Sequence, residues 1–320
     1  MRYLLPVLLA ASAVAAEPPY AAKAPLAAPQ VFAPGTISTG DYESHPAFTP
    51  DGTTLYYLKD APNFSVWTIV VSSFRDGRWQ PPQLAPWCGQ YRDADPFITS
   101  DGRRLYFISD RPVDGKPKED LDIWYVEKQG TAWSEPKHLE APVNSTGNEW
   151  FPTIAADGTI YFGSDREGGL GRTDLYRCPR TADGHYTPAE NLGPNINSKA
   201  DEYEPLINAD QTLLLFMATG RPDGKGAGDL YASTQANGEW QPARNLGEPI
   251  NSRAFELSPK ISPDGKWLFF TSSRGIFMGK PFDARKTSEQ YLGALHGPGN
   301  GLGDIYQVSM EAVLKAVATP

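Results

Sequence analysis

The sequence predicts an all-β fold, a five-bladed β-propeller of four-stranded antiparallel blades, and three observations predict it. The first is a repeat. Glu256-Leu-Ser-Pro259 leading to Asp264-Gly265 has counterparts from Glu43 through Pro46 to Asp51-Gly52, from Asp93 through Pro96 to Asp101-Gly102, from Glu149 through Pro152 to Asp157-Gly158, and from Glu202 through Pro205 to Asp210-Gln211. The turn aspartates recur at intervals of 50–56 residues, a period that marks a propeller or solenoid. The second is the apolar run after each turn, nearly continuous rather than alternating, as strands covered on both faces require. The third is a strand-like segment near the start that supplies what the last repeat lacks.

Each repeat reads as four strands. A first strand carries the acid and the proline, and the Asp-Gly pair supplies the positive φ of a tight hairpin. The second strands are Thr54-Leu-Tyr-Tyr-Leu, Arg104-Leu-Tyr-Phe-Ile, Thr159-Ile-Tyr-Phe, Leu213-Leu-Leu-Phe-Met and Lys266-Trp-Leu-Phe-Phe. Third strands open at Ser65, Asp122, Asp174, Asp229 and Asp304, and fourth segments begin near Trp79, Trp133, Tyr186 and Trp240. The fifth repeat stops after its third strand, and the tail 310–320 reads as a loose helical turn. Val31 to Ser38 stands before Glu43 at the offset that separates Asn144, Asn197 and Asn251 from their following glutamates. It is therefore an orphan fourth strand, and seating it on the fifth blade pairs an open edge and closes the ring.

Residues 1–16 have a positive start, an apolar run and Val14-Ala15-Ala16 before Glu17, the pattern of a secretory signal peptide. Residues 17–30 read as a Pro/Ala-rich tether, 31–309 as one propeller domain and 310–320 as a tail. The expected location is periplasmic or secreted, with no membrane span, and the protein is expected to be a monomer. A formal net charge of −9 offers no basic stripe for a phosphate backbone, so nucleic acid is not an expected partner. Cys88 lies in a linker and Cys178 at the end of a third strand of another blade, on opposite faces, a placement that makes bridging geometry hard to meet.

The repeated residues carry the site expectations. Arg111, Arg166, Arg221 and Arg274 follow second strands in the four repeats whose third strands open with Asp122, Asp174, Asp229 and Asp304, and the first repeat lacks both. Joint presence suggests four structural ion pairs, fork to carboxylate. The acids Glu43, Asp93, Glu149, Glu202 and Glu256 recur in all five repeats, with His45, Asp95 and Glu204 two residues on. Two readings stand side by side. Each acid holds an inter-blade turn, or the five surround an acidic channel mouth that binds a basic peptide, a polyhydroxylated ligand or a calcium ion, since such a ring must be neutralised. The 275–303 loop is long and aromatic, and long loops in compact repeats usually carry function. Tyr291 and His296 on it are added to the ligand-binding set. No short metal-ligand spacing, nucleophile elbow or phosphate loop is present.

At Asn191 to Glu204, Ser164-Asp-Arg166, Asp174-Leu-Tyr176 and Pro259-Lys-Ile-Ser-Pro-Asp-Gly265, the sequence resembles the TolB-like, WD-like propeller repeats built on a Pro-Asp-Gly core. The resemblance spans roughly residues 30 to 308 and implies a β-propeller, commonly exported in bacteria, that presents a binding surface. The expected function is thus an exported, non-enzymatic binding or scaffold propeller without a cofactor. An envelope or extracellular protein, a peptide or a glycan docks on the acidic mouth beneath the 275–303 loop. The alternative is a glycan-cleaving hydrolase using inner-strand carboxylates, with Glu43 and Glu256 as its catalytic candidates.

Overall fold

A computed structural model describes residues 17–62, 64–275 and 284–318. Five small antiparallel sheets form the five blades of a ring. In blade 1 the backbone runs from the inner strand Tyr42–Phe48 to Thr54–Asp60 and Trp67–Arg75, then to short ladders at Arg78–Trp79 and Gln83–Leu84. The inner strands of blades 2 to 5 are Asp93–Ile98, Glu149–Ile154, Asp201–Ile207 and Glu256–Ile261. The second strands are the core, and Ile160–Ser164 and Trp267–Ser272 are buried at every residue. That burial is why they read as unbroken apolar runs rather than as an alternation.

The ring closes as the offset predicts. Gln30 and Val31 pair with Gln307 and Tyr306, and the Phe32 N–H donates to the Ile305 carbonyl at 2.8 Å. In the linkers entering the later blades, the side chains of Asn144, Asn197 and Asn251 bond both backbone groups of Ile123, Leu175 and Leu230. Ser38 does the same for Ile305 at the closure, so the orphan segment supplies the linker contact as well as the strand.

The proline of each inner strand sits at a break in the ladder rather than at a strand start. The register slips between Ser44 and Ala47, Ala94 and Phe97, Trp150 and Thr153, Tyr203 and Leu206, and Leu257 and Lys260. A residue without an N–H belongs at such a bulge. The residue just before each proline carries backbone strain. His45, Asp95, Phe151, Glu204 and Ser258 have φ of 54°, 55°, 53°, 59° and 56°, the left-handed region that side chains normally avoid.

Both end segments pack on the propeller. The expected tether is docked. Tyr20 is buried against Phe48 and Phe269, its carbonyl accepts from Gln307 Nε2 at 2.6 Å, and Leu26 bonds Ser309. The tail forms a helix, Met310–Ala318, that buries Met310 and Val313. Cys88 and Cys178 are free thiols. Among the described residues no helix is long and apolar enough to cross a membrane. Residues 1–16, with the expected signal peptide, lie outside the described residues.

Candidate functional site at the channel mouth

The five recurring acids are fully buried, and each is turned toward its own linker. Glu149 accepts from the Ser145 N–H at 2.9 Å, from Ser145 Oγ, from Ser164 Oγ at 3.0 Å and from Arg166 at 2.9 Å. Glu202 and Glu256 repeat the pattern with Ser198 and Arg221, and with Ser252, Ser272 and Arg274. Asp93 pairs with Arg111. Glu43 takes the Thr39 N–H and hydroxyl, and Lys59 Nζ at 2.6 Å. Burial nonetheless holds Asp93, Glu149 and Glu202 above the ordinary carboxylate range, against the pull of these donors. Acids enclosed this way brace the blades and do not line the mouth. The structure thus places Glu43, Asp93, Glu149, Glu202 and Glu256, the catalytic candidates Glu43 and Glu256 among them, outside the lining of the cavity described below.

The arginine pairings are corrected too. Arg111, Arg166, Arg221 and Arg274 reach the inner-strand acids and not Asp122, Asp174, Asp229 and Asp304. Each guanidinium lies over two or more aromatic rings, as Arg166 does over Phe162 and Tyr176 at 4.9 and 5.1 Å, which aims it inward and across to the preceding linker's carbonyls. The third-strand aspartates are taken up locally. Asp174 accepts from the N–H groups of Leu170 and Gly171 and from Asn191. Asp229 accepts from Lys225 and Gly226 N–H, Asp304 from Gly299 N–H, and Asp122 from Lys118 and His138. In the first blade Lys59, directly across from Glu43, does the arginine's work.

What converges at the axis is the left-handed residue of each blade. His45 Nε2 lies 3.3 Å from Asp95 Oδ1 and 3.2 Å from Glu204 Oε1. Its Nδ1 contacts Ser44 Oγ at 2.7 Å, and that hydroxyl donates to Asp60 Oδ2 at 2.8 Å. The ring stacks on Phe151 at 5.3 Å and 4°. The Phe151 N–H donates to Asp95 at 3.1 Å, and the Ser258 N–H to Glu204. His45, Asp95 and Glu204 are 6%, 3% and 4% exposed, so their charges interact with little screening. Burial works against the imidazolium, but Asp95 and Glu204 outweigh it and raise the His45 pKa. Burial pushes Asp95 up to about 7 and Asp60 up to about 6, each against the pull of His45. Lys260, over the Phe97 ring, is lowered to about 8 by burial, against the charges of Asp95 and Glu204.

Above this floor opens a cavity of about 370 Å³ walled by residues of all five blades, among them Trp67, Trp150, Tyr203 and Phe255. It lies at the mouth where the inner strands begin, and its walls carry aromatic rings together with the carboxylates of Asp60, Asp95 and Glu204. Of the expected ligand-binding residues it brings together His45, Asp95 and Glu204. Asp60, Trp67, Trp150, Phe151, Tyr203 and Ser258 were not singled out from the sequence. The signal that finds most of them is position, one or two residues after each recurring acid. Tyr291 and His296 do not line the cavity. Their segment, with the helix Ser288–Leu295, docks at the seam of blades 5 and 1, where Asn300 Nδ2 donates to the Gly40 carbonyl at 3.1 Å and Gly40 leaves no room for a Cβ beside His296. Residues 276–283 of the loop lie outside the described residues. Among the described residues no group of three or more His, Cys, Asp or Glu side chains is arranged to hold a metal ion.

Comparison with known proteins agrees with this architecture. No family model matches the sequence. A curated relative named uncharacterized peptidase YuxL, from Bacillus subtilis (strain 168), is 26% identical over 254 residues, 77% of this chain and 31% of its own length. The protein thus spans about a third of the length of the curated relative it matches. A solved complex of BT0996 and RGII superposes with a TM-score of 0.55 at 11% identity, over 92% of each chain. A candidate TolB from Agrobacterium tumefaciens gives 0.47 at 14%, over 84% of this chain and 90% of its own. The α-L-arabinofuranosidase PaAbf62A from Podospora anserina, solved with cellotriose, gives 0.48 at 14%, over 89% and 94%. At 11% identity the likeness to BT0996 is one of fold.

Proposed function

We propose that the protein is an exported binding propeller whose ligand, a small molecule or one group of a peptide, protein or glycan, seats in the aromatic mouth. One observation carries the reading. Five non-glycine residues, one per blade, are held in the left-handed region at the point where a cavity of about 370 Å³ opens. Strain of about 1–3 kcal/mol per residue persists only where the surroundings over-determine it, and it gathers at functional sites. The size falls within the roughly 300–1,000 Å³ of small-ligand pockets, with aromatic walls and few polar groups, as such pockets usually have. Export rests on the leader-like first 16 residues.

A glycan-cleaving activity would need two carboxylates about 5 to 9.5 Å apart with the sugar or a water between them. At this mouth Asp95 and Glu204 share one imidazole nitrogen instead, and the space between them is filled by His45. The test is intrinsic tryptophan fluorescence and thermal melting of the full-length protein against peptide, oligosaccharide and small-molecule panels, with Trp150→Ala alongside. A ligand that shifts the wild type and not the variant supports the reading. Glycan turnover abolished by Glu204→Gln overturns it in favour of the hydrolase.

A further inference from the structure

The charges and rings around the mouth narrow the chemistry of its occupant, given the binding role just proposed. Trp150 and Tyr203 meet edge to face at 6.0 Å and 66°, and with Trp67 and Phe255 they give the cavity rings from four of the five blades. Ring faces carry a negative quadrupole that attracts cations. Three carboxylates, Asp60, Asp95 and Glu204, line the same cavity. Against them stand His45, already shared between Asp95 and Glu204, Arg172, and Arg92, which lies over the Trp67 ring at 5.3 Å and pairs with Asp110. The Arg172 guanidinium is largely exposed and is engaged at the rim by Asp201 at 3.0 Å and the Tyr203 hydroxyl at 3.2 Å. Lys260 does not line the cavity. Asp60 is the least satisfied of the three acids, because Oδ2 takes the Ser44 hydroxyl while Oδ1 is buried without a hydrogen-bond partner among the described residues. Burial raises its pKa, against the pull of His45 and the Ser44 hydroxyl.

We propose that the mouth binds an organic monocation, an ammonium or guanidinium group on a short apolar stem, against the Trp67, Trp150, Tyr203 and Phe255 rings and over the carboxylates of Asp60, Asp95 and Glu204. An anion would meet repulsion from three carboxylates. A neutral polyol would add no positive charge beside the three carboxylates. A small metal ion prefers oxygen and nitrogen donors to ring faces. The group is free in solution or is a basic residue of a partner protein, and the chemistry of recognition is the same.

The experiment compares each cation with its neutral isostere by tryptophan fluorescence and calorimetry on the full-length protein. Choline is set against 3,3-dimethylbutan-1-ol, and acetyl-arginine-amide against acetyl-citrulline-amide. Acetyl-arginine-amide and a short arginine-containing peptide separate free amino acid from peptide-borne side chain. At least one cation is expected to bind ten-fold or more tightly than its isostere, with the preference reduced in Trp150→Ala and in Asp60→Asn. Equal binding of cation and isostere overturns the monocation while leaving the pocket in place. Binding of glucose or xylose in preference to every cation does the same. If no probe of any charge binds, both the monocation and the binding reading fail. The isostere comparison uses only the wild type, so it stands even where a variant does not fold.

Discussion

Two sets of residues lie two positions apart on the same five strands, and they follow opposite rules. Glu43, Asp93, Glu149, Glu202 and Glu256 repeat in chemical type and are fully buried, held by groups of their own blades and linkers. His45, Asp95, Phe151, Glu204 and Ser258 repeat only in backbone conformation, and their side chains diverge to build one asymmetric network. Chemistry repeated around the ring serves what every blade needs, which is a brace to its neighbour. Divergent chemistry on a shared backbone serves what the axis alone can offer, a single site seen by five blades at once. Blade 3 holds the contrast in three successive residues, with Glu149 as brace, Trp150 as pocket wall and Phe151 as hub.

The sharpest way to break this comparison is Glu149→Ala. It strands the half-buried Arg166 guanidinium and the Ser145 N–H, and removing one partner of a buried pair costs up to about 3–5 kcal/mol. The denaturant midpoint should fall sharply, and a near-neutral result would mean the acids are not braces. Trp150→Ala should cost much less stability, yet remove ligand response.

Next in size is a pH effect at the hub. The folded pKa of Asp95, about 7, lies above its ordinary 3.8. Its contribution is therefore full below about pH 4 and is lost as pH rises through about 7, to a ceiling of about 4 kcal/mol at 1.4 kcal/mol per pKa unit. The raised His45 pKa acts in the same direction at somewhat higher pH, while Lys260, lowered to about 8, regains stability only above that pH. Urea unfolding at pH 5 and pH 7.5 should show a larger loss in the wild type than in Asp95→Asn. Parallel slopes would remove Asp95 from the account.

The smallest effect tests the strain itself. Ser258→Gly keeps the φ of 56° at no steric cost and should change stability by about 1 kcal/mol or less, on the stabilising side. Ser258→Val should destabilise, because a branched side chain is a poor fit to that region. A Val variant as stable as Gly would show that the hub is not strained.

Much of the fold was legible because it is written in local spacing. Asn144, Asn197 and Asn251 stand at one offset from the next blade's acid, and Ser38 at that offset revealed the closing strand. The braces were half legible. The joint occurrence of Arg166 and Asp174 was visible, but the partner of Arg166 is Glu149, 17 residues upstream on the inner strand, and spacing does not rank one acid above the other. Lys59 as the substitute in blade 1 became visible only through strand register. The cavity lining was legible at His45, Asp95 and Glu204, polar residues at a repeated position. Trp150 and Tyr203 were hidden because an aromatic on an inner strand looks like any core residue until the cavity beside it is seen. Tyr291 and His296 were misleading, since loop length says nothing about which way a loop folds.

The sequence by itself determined the number of blades, the order of strands within each, and the seam at which the ring closes, because strand period, turn residues and linker offsets act over a few residues. Only the tertiary structure decided that His45 and Glu204, 159 residues apart, share a proton-bearing contact, that five acids point away from the axis, and that five left-handed residues gather around it. Those outcomes depend on the curvature that brings five equivalent strands around one axis, and through-space convergence of that kind leaves no mark on spacing along the backbone.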